Sequence, residues 1–179
     1  NKRDRAIVML MLRSGLRVAE VVHLTLAAID WPRKRLYVYN GKGGKDRVVY
    51  ISPDSHRAMQ DYLQVRPSCR AKKLFRVERG CHKGKPISVR GVQKRMEAYA
   101  KKAGLKVSCH QLRHTMATQL LNADADLVTI QDLLGHSRIV TTQRYCKVCN
   151  LKVQRDYFAA MDRLLGNGTE SNDFKLDIH

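Results

Sequence analysis

His110 and Arg113 stand three residues apart behind Ser108-x-x-Gln111, and that short stretch is suited to phosphate chemistry. The Ser/Gln spacing is a capping box, so a helix is expected to begin at Ser108. A helix N-terminus favours anions, and an arginine presents a fork of donors to phosphate oxygens. His110 can supply a hydrogen bond or a proton. Arg17 opens a separate apolar-periodic segment after Ser14-Gly15-Leu16, with Glu20 three residues on to hold its guanidinium. Two arginines on one phosphate would clamp both non-bridging oxygens, and phosphoryl transfer depends mainly on positioning and charge stabilisation.

Three more groups complete the candidate set. Lys42 and Lys45 lie in Gly41-Lys42-Gly43-Gly44-Lys45, a turn whose lysines can reach into a site as proton donors. His136 follows Gly135 at the end of an expected helix. Tyr145 lies nine residues further on. Each has an ordinary alternative: an intrahelical ion pair for Arg17 and Glu20, a plain hairpin turn for 41–45, a capping or buried structural residue for His136. The 41–45 turn lacks the G-x-x-x-x-G-K-[ST] pattern of a nucleotide phosphate loop. His114 is read as a packing residue pointing elsewhere on its helix. Tyr145 is one of seven tyrosines, and a phenol of pKa ~10 needs help to attack.

The elements that must position these groups can be read from periodicity and breakers. Residues 3–14 form an apolar stretch of helical length that ends at Ser14-Gly15, and a second helix runs from about Arg17 to Leu26. Asp30-Trp31-Pro32 is a turn. Leu36 to Tyr39 and Arg47 to Ile51 are β-rich runs around a glycine-rich turn, which makes a hairpin. Ser52-Pro53-Asp54 starts a helix that extends to about Val65. Residues 66–88 are loop-rich and basic. Ser88 to Ala103 is a helix stopped by Gly104, and Ser108 begins the next. Leu127 to Leu134 follows, ended by Gly135. Thr141 to Cys149 reads as a short helix, Asn150 to Leu165 as a longer amphipathic one, and 166–179 as a polar, loose tail. The fold class is mainly α with a small antiparallel sheet.

Composition narrows the partner. The 34 Lys and Arg against 16 Asp and Glu give a net charge of +18, spread along the chain. A folded cationic surface of that size attracts polyanions, with nucleic acid first among them. Five cysteines at irregular spacing argue against a disulfide framework and suit a reducing cytoplasm. Cys146 and Cys149 form one C-x-x-C, but a structural zinc site needs four ligands and no second pair exists. No apolar run approaches the ~18 residues of a membrane span. The first residue is Asn1, and the chain reads as a piece of a longer protein.

Taken in order, SGLRVAE, GKGGK, CHQLRHTMATQLL, LLGHS and TTQRY closely resemble the tyrosine recombinase (phage integrase) family, over residues 1–165. The resemblance implies a catalytic domain over 1–165 with a three-stranded sheet edge. Two strands are clear, and the third is expected near Leu74-Phe75-Arg76. By position, Arg17 and Arg113 match the family's catalytic arginines, His110 and His136 its two histidines, and Tyr145 its nucleophile. Lys42 matches the hairpin lysine with Lys45 as fallback, and Glu20 matches a supporting acid. The resemblance implies site-specific cutting and rejoining of DNA through a 3′-phosphotyrosyl bond, with neither metal nor cofactor. It also implies double-stranded DNA as partner, a homo-tetramer on that DNA, and an N-terminal DNA-clamping domain outside these residues. In the family a helix at the place of Ser88–Ala103 enters the major groove, so Arg90, Gln93, Lys94 and Arg95 are candidate DNA contacts; the alternative is a solvated cationic face. Two rival readings stand beside it: a type IB topoisomerase, which shares the tyrosine chemistry but relaxes one duplex, and a DNA-binding module that keeps the fold without chemistry.

Overall fold

The structure is a computed structural model that describes residues 1–39, 46–68 and 72–135. In chain order these form α1 (Lys2–Arg13), α2 (Val18–His23), a 3₁₀ turn (Leu26–Ala28), β1 (Ile29–Asp30), β2 (Arg35–Val38), β3 (Arg47–Tyr50), α3 (Pro53–Val65), α4 (Val89–Lys102), α5 (Cys109–Asn122) and α6 (Leu127–Leu134). The expected mainly helical fold with a small antiparallel sheet is what forms. Side-chain caps start most of the helices. Asn1, Ser52, Ser88, Ser108 and Asp126 each accept a backbone N–H in the first turn of the helix they precede.

The sheet has the order β1-β2-β3, antiparallel throughout. Its third strand is Ile29–Asp30, where the sequence suggested only a turn, and not the segment near Leu74-Phe75-Arg76. Ile29 pairs with Leu36 and Asp30 with Arg35, and residues 31–34 make the bend between them. A two-residue strand gives almost no alternation to read, so its pairing is invisible locally. The Lys73–Arg76 segment instead runs along the core and makes isolated bridges, Thr25 with Lys73 and Arg76 with Pro86. It is pinned by polar contacts: Leu74 N–H donates to Leu24 O at 2.8 Å, and the buried Tyr62 hydroxyl accepts from Arg76 N–H at 3.0 Å.

α1 is the central helix, packed on α3 and α5. Ala6, Ile7, Leu10 and Met11 fill the main core with Leu36, Val38 and Val49 from the sheet, Met59 and Tyr62 from α3, and Val92 and Met96 from α4. A second cluster joins α5 to α6 through Met116, Ala117, Leu121, Ile130 and Leu134. The start of α1 is less apolar than its pattern suggested. Arg3 and Asp4 are buried, and Asp4 accepts from Arg3, Arg95 and Tyr99. No helix among the described residues is long and apolar enough to cross a membrane.

Candidate active site

α5 begins where the sequence placed it. Ser108 N–H donates to the Gln111 side-chain oxygen at 2.6 Å, and the Ser108 hydroxyl accepts from Gln111 N–H, so the capping box is closed both ways. The helix buries Cys109, Leu112, Arg113, Met116 and Ala117, a run at i, i+3, i+4, i+7 and i+8. Arg113 therefore lies on the core face, only 3 % exposed, and it is solvated by backbone in place of water. Its two Nη groups donate to Gly15 O and Leu134 O. Those two carbonyls hold a forked guanidinium at one orientation. Burial also pushes the Cys109 thiol up, away from thiolate reactivity.

His110 is exposed on the first turn. Its Nε2 lies 2.5 Å from His114 Nε2, with the rings edge to face at 4.1 Å between centroids. The sequence reading of His114 as a packing residue pointing elsewhere is thus corrected. Residues four apart share a helix face, whatever lies next to them in the chain. One ring must donate and the other accept, so each fixes the tautomer of its neighbour.

Arg17 sits just before α2. Its backbone N–H donates to Glu20 Oε2 at 2.8 Å and its Nη1 to Glu20 Oε1 at 2.9 Å, while Nη2 reaches Gly135 O at 3.5 Å. Glu20 has a second partner that the sequence reading did not single out. Arg47, the first residue of β3, donates from Nη1 to Glu20 Oε1 and from Nη2 to Oε2, both at 2.8 Å, and from Nε to Leu133 O at 2.9 Å. A signal for it existed. Arg47 pairs across the sheet with buried Val38, so the two-residue period puts it on the inward face with Val49. A charge on that face needs a buried partner. Burial is the largest influence on the Glu20 carboxyl and raises its pKa, but the hydrogen bonds from Arg47 and Arg17 outweigh it and bring it from 4.5 to about 2.

Arg17, His110 and Arg113 line a single open cavity of about 430 Å³, to whose lining α4 adds Gln93, Met96 and Glu97. Three of the candidate catalytic residues, from two separated stretches of chain, thus share one concavity. Lys42, Lys45, His136 and Tyr145 lie outside the described residues, as do the expected helices Thr141–Cys149 and Asn150–Leu165, the Cys146/Cys149 pair and the tail. On α4, Arg90, Gln93, Lys94 and Arg95 are all exposed. Arg95, about half exposed, is also engaged by the protein itself: its Nε donates to Asp4 at 2.7 Å, its Nη2 to the Tyr99 hydroxyl at 2.7 Å, and its guanidinium lies 5.0 Å over the Tyr99 ring. Among the described residues no group of three or more His, Cys, Asp or Glu gathers as a metal centre.

Comparison with known proteins agrees with this architecture. The profile of the phage integrase family matches residues 1–151. Tyrosine recombinase XerA of Thermococcus kodakarensis is 40% identical over 167 residues, covering 92% of this chain and 58% of that protein. A crystal structure of XerA recombinase superposes with a TM-score of 0.78 at 30% identity, covering 89% of this chain and 58% of the other. The XerH site-specific recombinase, solved in a post-cleavage complex with a palindromic difH substrate, has the same fold, with a TM-score of 0.70 at 23% identity over 87% of this chain and 45% of its own. The chain thus spans somewhat over half the length of the XerA relative. With the family's profile matched over most of the sequence and an arginine pair and histidine gathered in one cavity, the chain belongs to the phage integrase family.

Proposed function

We propose that this chain carries the chemistry of a site-specific DNA recombinase that cuts and rejoins strands through a 3′-phosphotyrosyl intermediate. The observation that carries the reading is the cavity shared by Arg17, His110 and Arg113: two forked cations and an imidazole facing a space that admits a phosphodiester. Membership of the phage integrase family and 40% identity to a tyrosine recombinase support it, as does a net charge of +18, which suits a phosphate-rich partner.

In this mechanism the Tyr145 phenol gives up its proton to solvent as its oxygen attacks the scissile phosphorus, a tyrosyl–phosphate bond forms, and the bond to the 5′-oxygen breaks. Lys42, or Lys45 beside it, gives that oxygen its proton. Arg17, Arg113, His110 and His136 stabilise the charge that builds on the non-bridging oxygens. A 5′-hydroxyl from a partner strand then attacks the tyrosyl phosphate and releases Tyr145. The phosphodiester energy is kept in the tyrosyl bond, so the cycle calls for no nucleotide and no metal.

The same reading makes duplex DNA the partner, with Arg90, Gln93 and Lys94 as the contacts from α4. It makes a tetramer of copies on DNA the working assembly, with Asn150–Leu165 docking between copies, and the cytoplasm the compartment. Arg95 contributes to this surface by holding α4 against α1 more than by reaching out.

The test is covalent trapping on nicked duplexes tiled across the DNA that flanks the gene. Wild type should give an adduct that survives denaturation, and Tyr145→Phe should give none. A wild-type chain that folds, binds the duplex at low salt and yields no adduct would overturn the reading. Relaxation of supercoiled plasmid without a partner site would point instead to topoisomerase action.

A further inference from the structure

Three consecutive carbonyls at the end of α6 each accept from a different arginine. Arg47 Nε donates to Leu133 O at 2.9 Å, Arg113 Nη2 donates to Leu134 O, and Arg17 Nη2 reaches Gly135 O at 3.5 Å. The last carbonyls of a helix lack intrahelical donors and carry the negative end of its dipole, so cations belong there. Two of these arginines face the cavity; Arg47 does not line it. Its side chain is 9 % exposed, and it grips both oxygens of Glu20, whose own side chain is 7 % exposed.

Arg47 thereby ties together two elements that carry the site, α2 and α6. It opens β3, two residues after Lys45 in the chain. Through Glu20 it holds Arg17, and through Leu133 O it holds the end of α6, three residues before His136. Gly135 leaves room for this side chain. A Cβ there would stand 3.0 Å from Arg47 Cδ and 3.3 Å from Nε and Nη1. We propose that Arg47 is a positioning residue for strand cleavage, a buried guanidinium that locks Arg17 and the end of α6 into one geometry while touching no DNA itself.

This inference rests on the strand-exchange reading, and its test keeps the two apart. Arg47→Met preserves much of the stem without the fork; Arg47→Lys keeps the charge but cannot satisfy two carboxylate oxygens and a carbonyl in one plane. Both are compared with wild type for affinity to a duplex by fluorescence anisotropy, for the rate of adduct formation on the nicked duplexes, and for amide hydrogen exchange along α6. Affinity is expected within about threefold of wild type in both variants, because a side chain this buried makes no phosphate contact. The adduct rate should fall about 100-fold in Arg47→Met, the scale of a misplacement of ~1 Å, and Arg47→Lys should recover no more than about a tenth of it. Exchange in the last turn of α6 should rise about tenfold while α1 stays protected.

A rate loss that merely follows the loss of affinity overturns the proposal. So does full rescue by Arg47→Lys, or unchanged exchange at the end of α6. If wild type forms no adduct, the strand-exchange reading fails on its own account. The exchange measurement then still decides whether Arg47 ties α6 to the Arg17–Glu20 pair.

Discussion

Glu20 is where the energetics of single residues are sharpest, because two guanidinium groups converge on one nearly buried carboxylate. Removing one member of such a group leaves an uncompensated charge, which makes it far costlier to break than an exposed ion pair. Its folded-state pKa of about 2 lies below the ordinary 4.5, so the carboxylate is favoured by folding. The stabilisation is fully present above pH 4.5 and is lost as pH falls from 4.5 towards 2, on the order of 3 kcal/mol in all. Asp4, also held below its usual range despite a burial effect that raises it, adds loss of the same sign through its bonds to Arg3, Arg95 and Tyr99. Urea titrations at stepped pH should show wild-type stability dropping across this window. Glu20→Gln should be less stable at neutral pH by about 3 kcal/mol and show a shallower acid slope, with the contributions of Asp4 and Asp54 remaining. Parallel acid slopes for the two proteins would remove Glu20 from the account.

At the scale of elements, α6 and the chain entering α2 meet so closely that two glycines are required. Gly15 has φ +64° and Gly135 φ +58°, the left-handed region in which a side chain is strained. A Cβ on Gly15 would stand 3.0 Å from the Leu134 side chain, and one on Gly135 would press on Arg47. Gly135→Ala therefore combines backbone strain with displacement of a buried ion pair and should cost about 2 kcal/mol, read by urea denaturation. Its effect should shrink in an Arg47→Ala background, where the Cδ, Nε and Nη1 atoms in the way are gone. Additive losses in the double variant would separate the glycine from the arginine.

Across the whole molecule the dominant quantity is charge. With a net +18, affinity for duplex DNA should fall steeply with salt, each phosphate contact contributing about −0.9 to the slope of log K against log salt. The exposed Arg90 and Lys94 should each lower that slope by about one when replaced by alanine, with little change in melting temperature. Arg95→Ala should behave differently, since its guanidinium is occupied by Asp4 and Tyr99. It is expected to lower the melting temperature by several degrees, as for a loss of about 1 kcal/mol, and leave the slope nearly unchanged. A slope change for Arg95→Ala equal to that of Arg90→Ala would show its side chain swinging out to the DNA.

How much of this was readable from residues alone follows from the range over which each feature is decided. Helix starts at Ser52, Ser88 and Ser108, the stop at Gly135 and the hairpin strands depend on a few neighbouring residues, so they were legible, as was the order of blocks that marks the family. Ile29–Asp30 as the third strand was not, because two residues carry no period and only the partner strand defines them. The pairing of His114 with His110 was within reach, since four residues along a helix is one face. Arg47 needed the sheet register to show that a charge pointed inward, and α2 and α6 to show what received it. Which residues could do chemistry was written in their types and spacing. Which of them meet in one cavity, and what holds them there from behind, was decided only when α2, α5, α6 and the sheet packed together, because buried charges take their partners from distant parts of the chain.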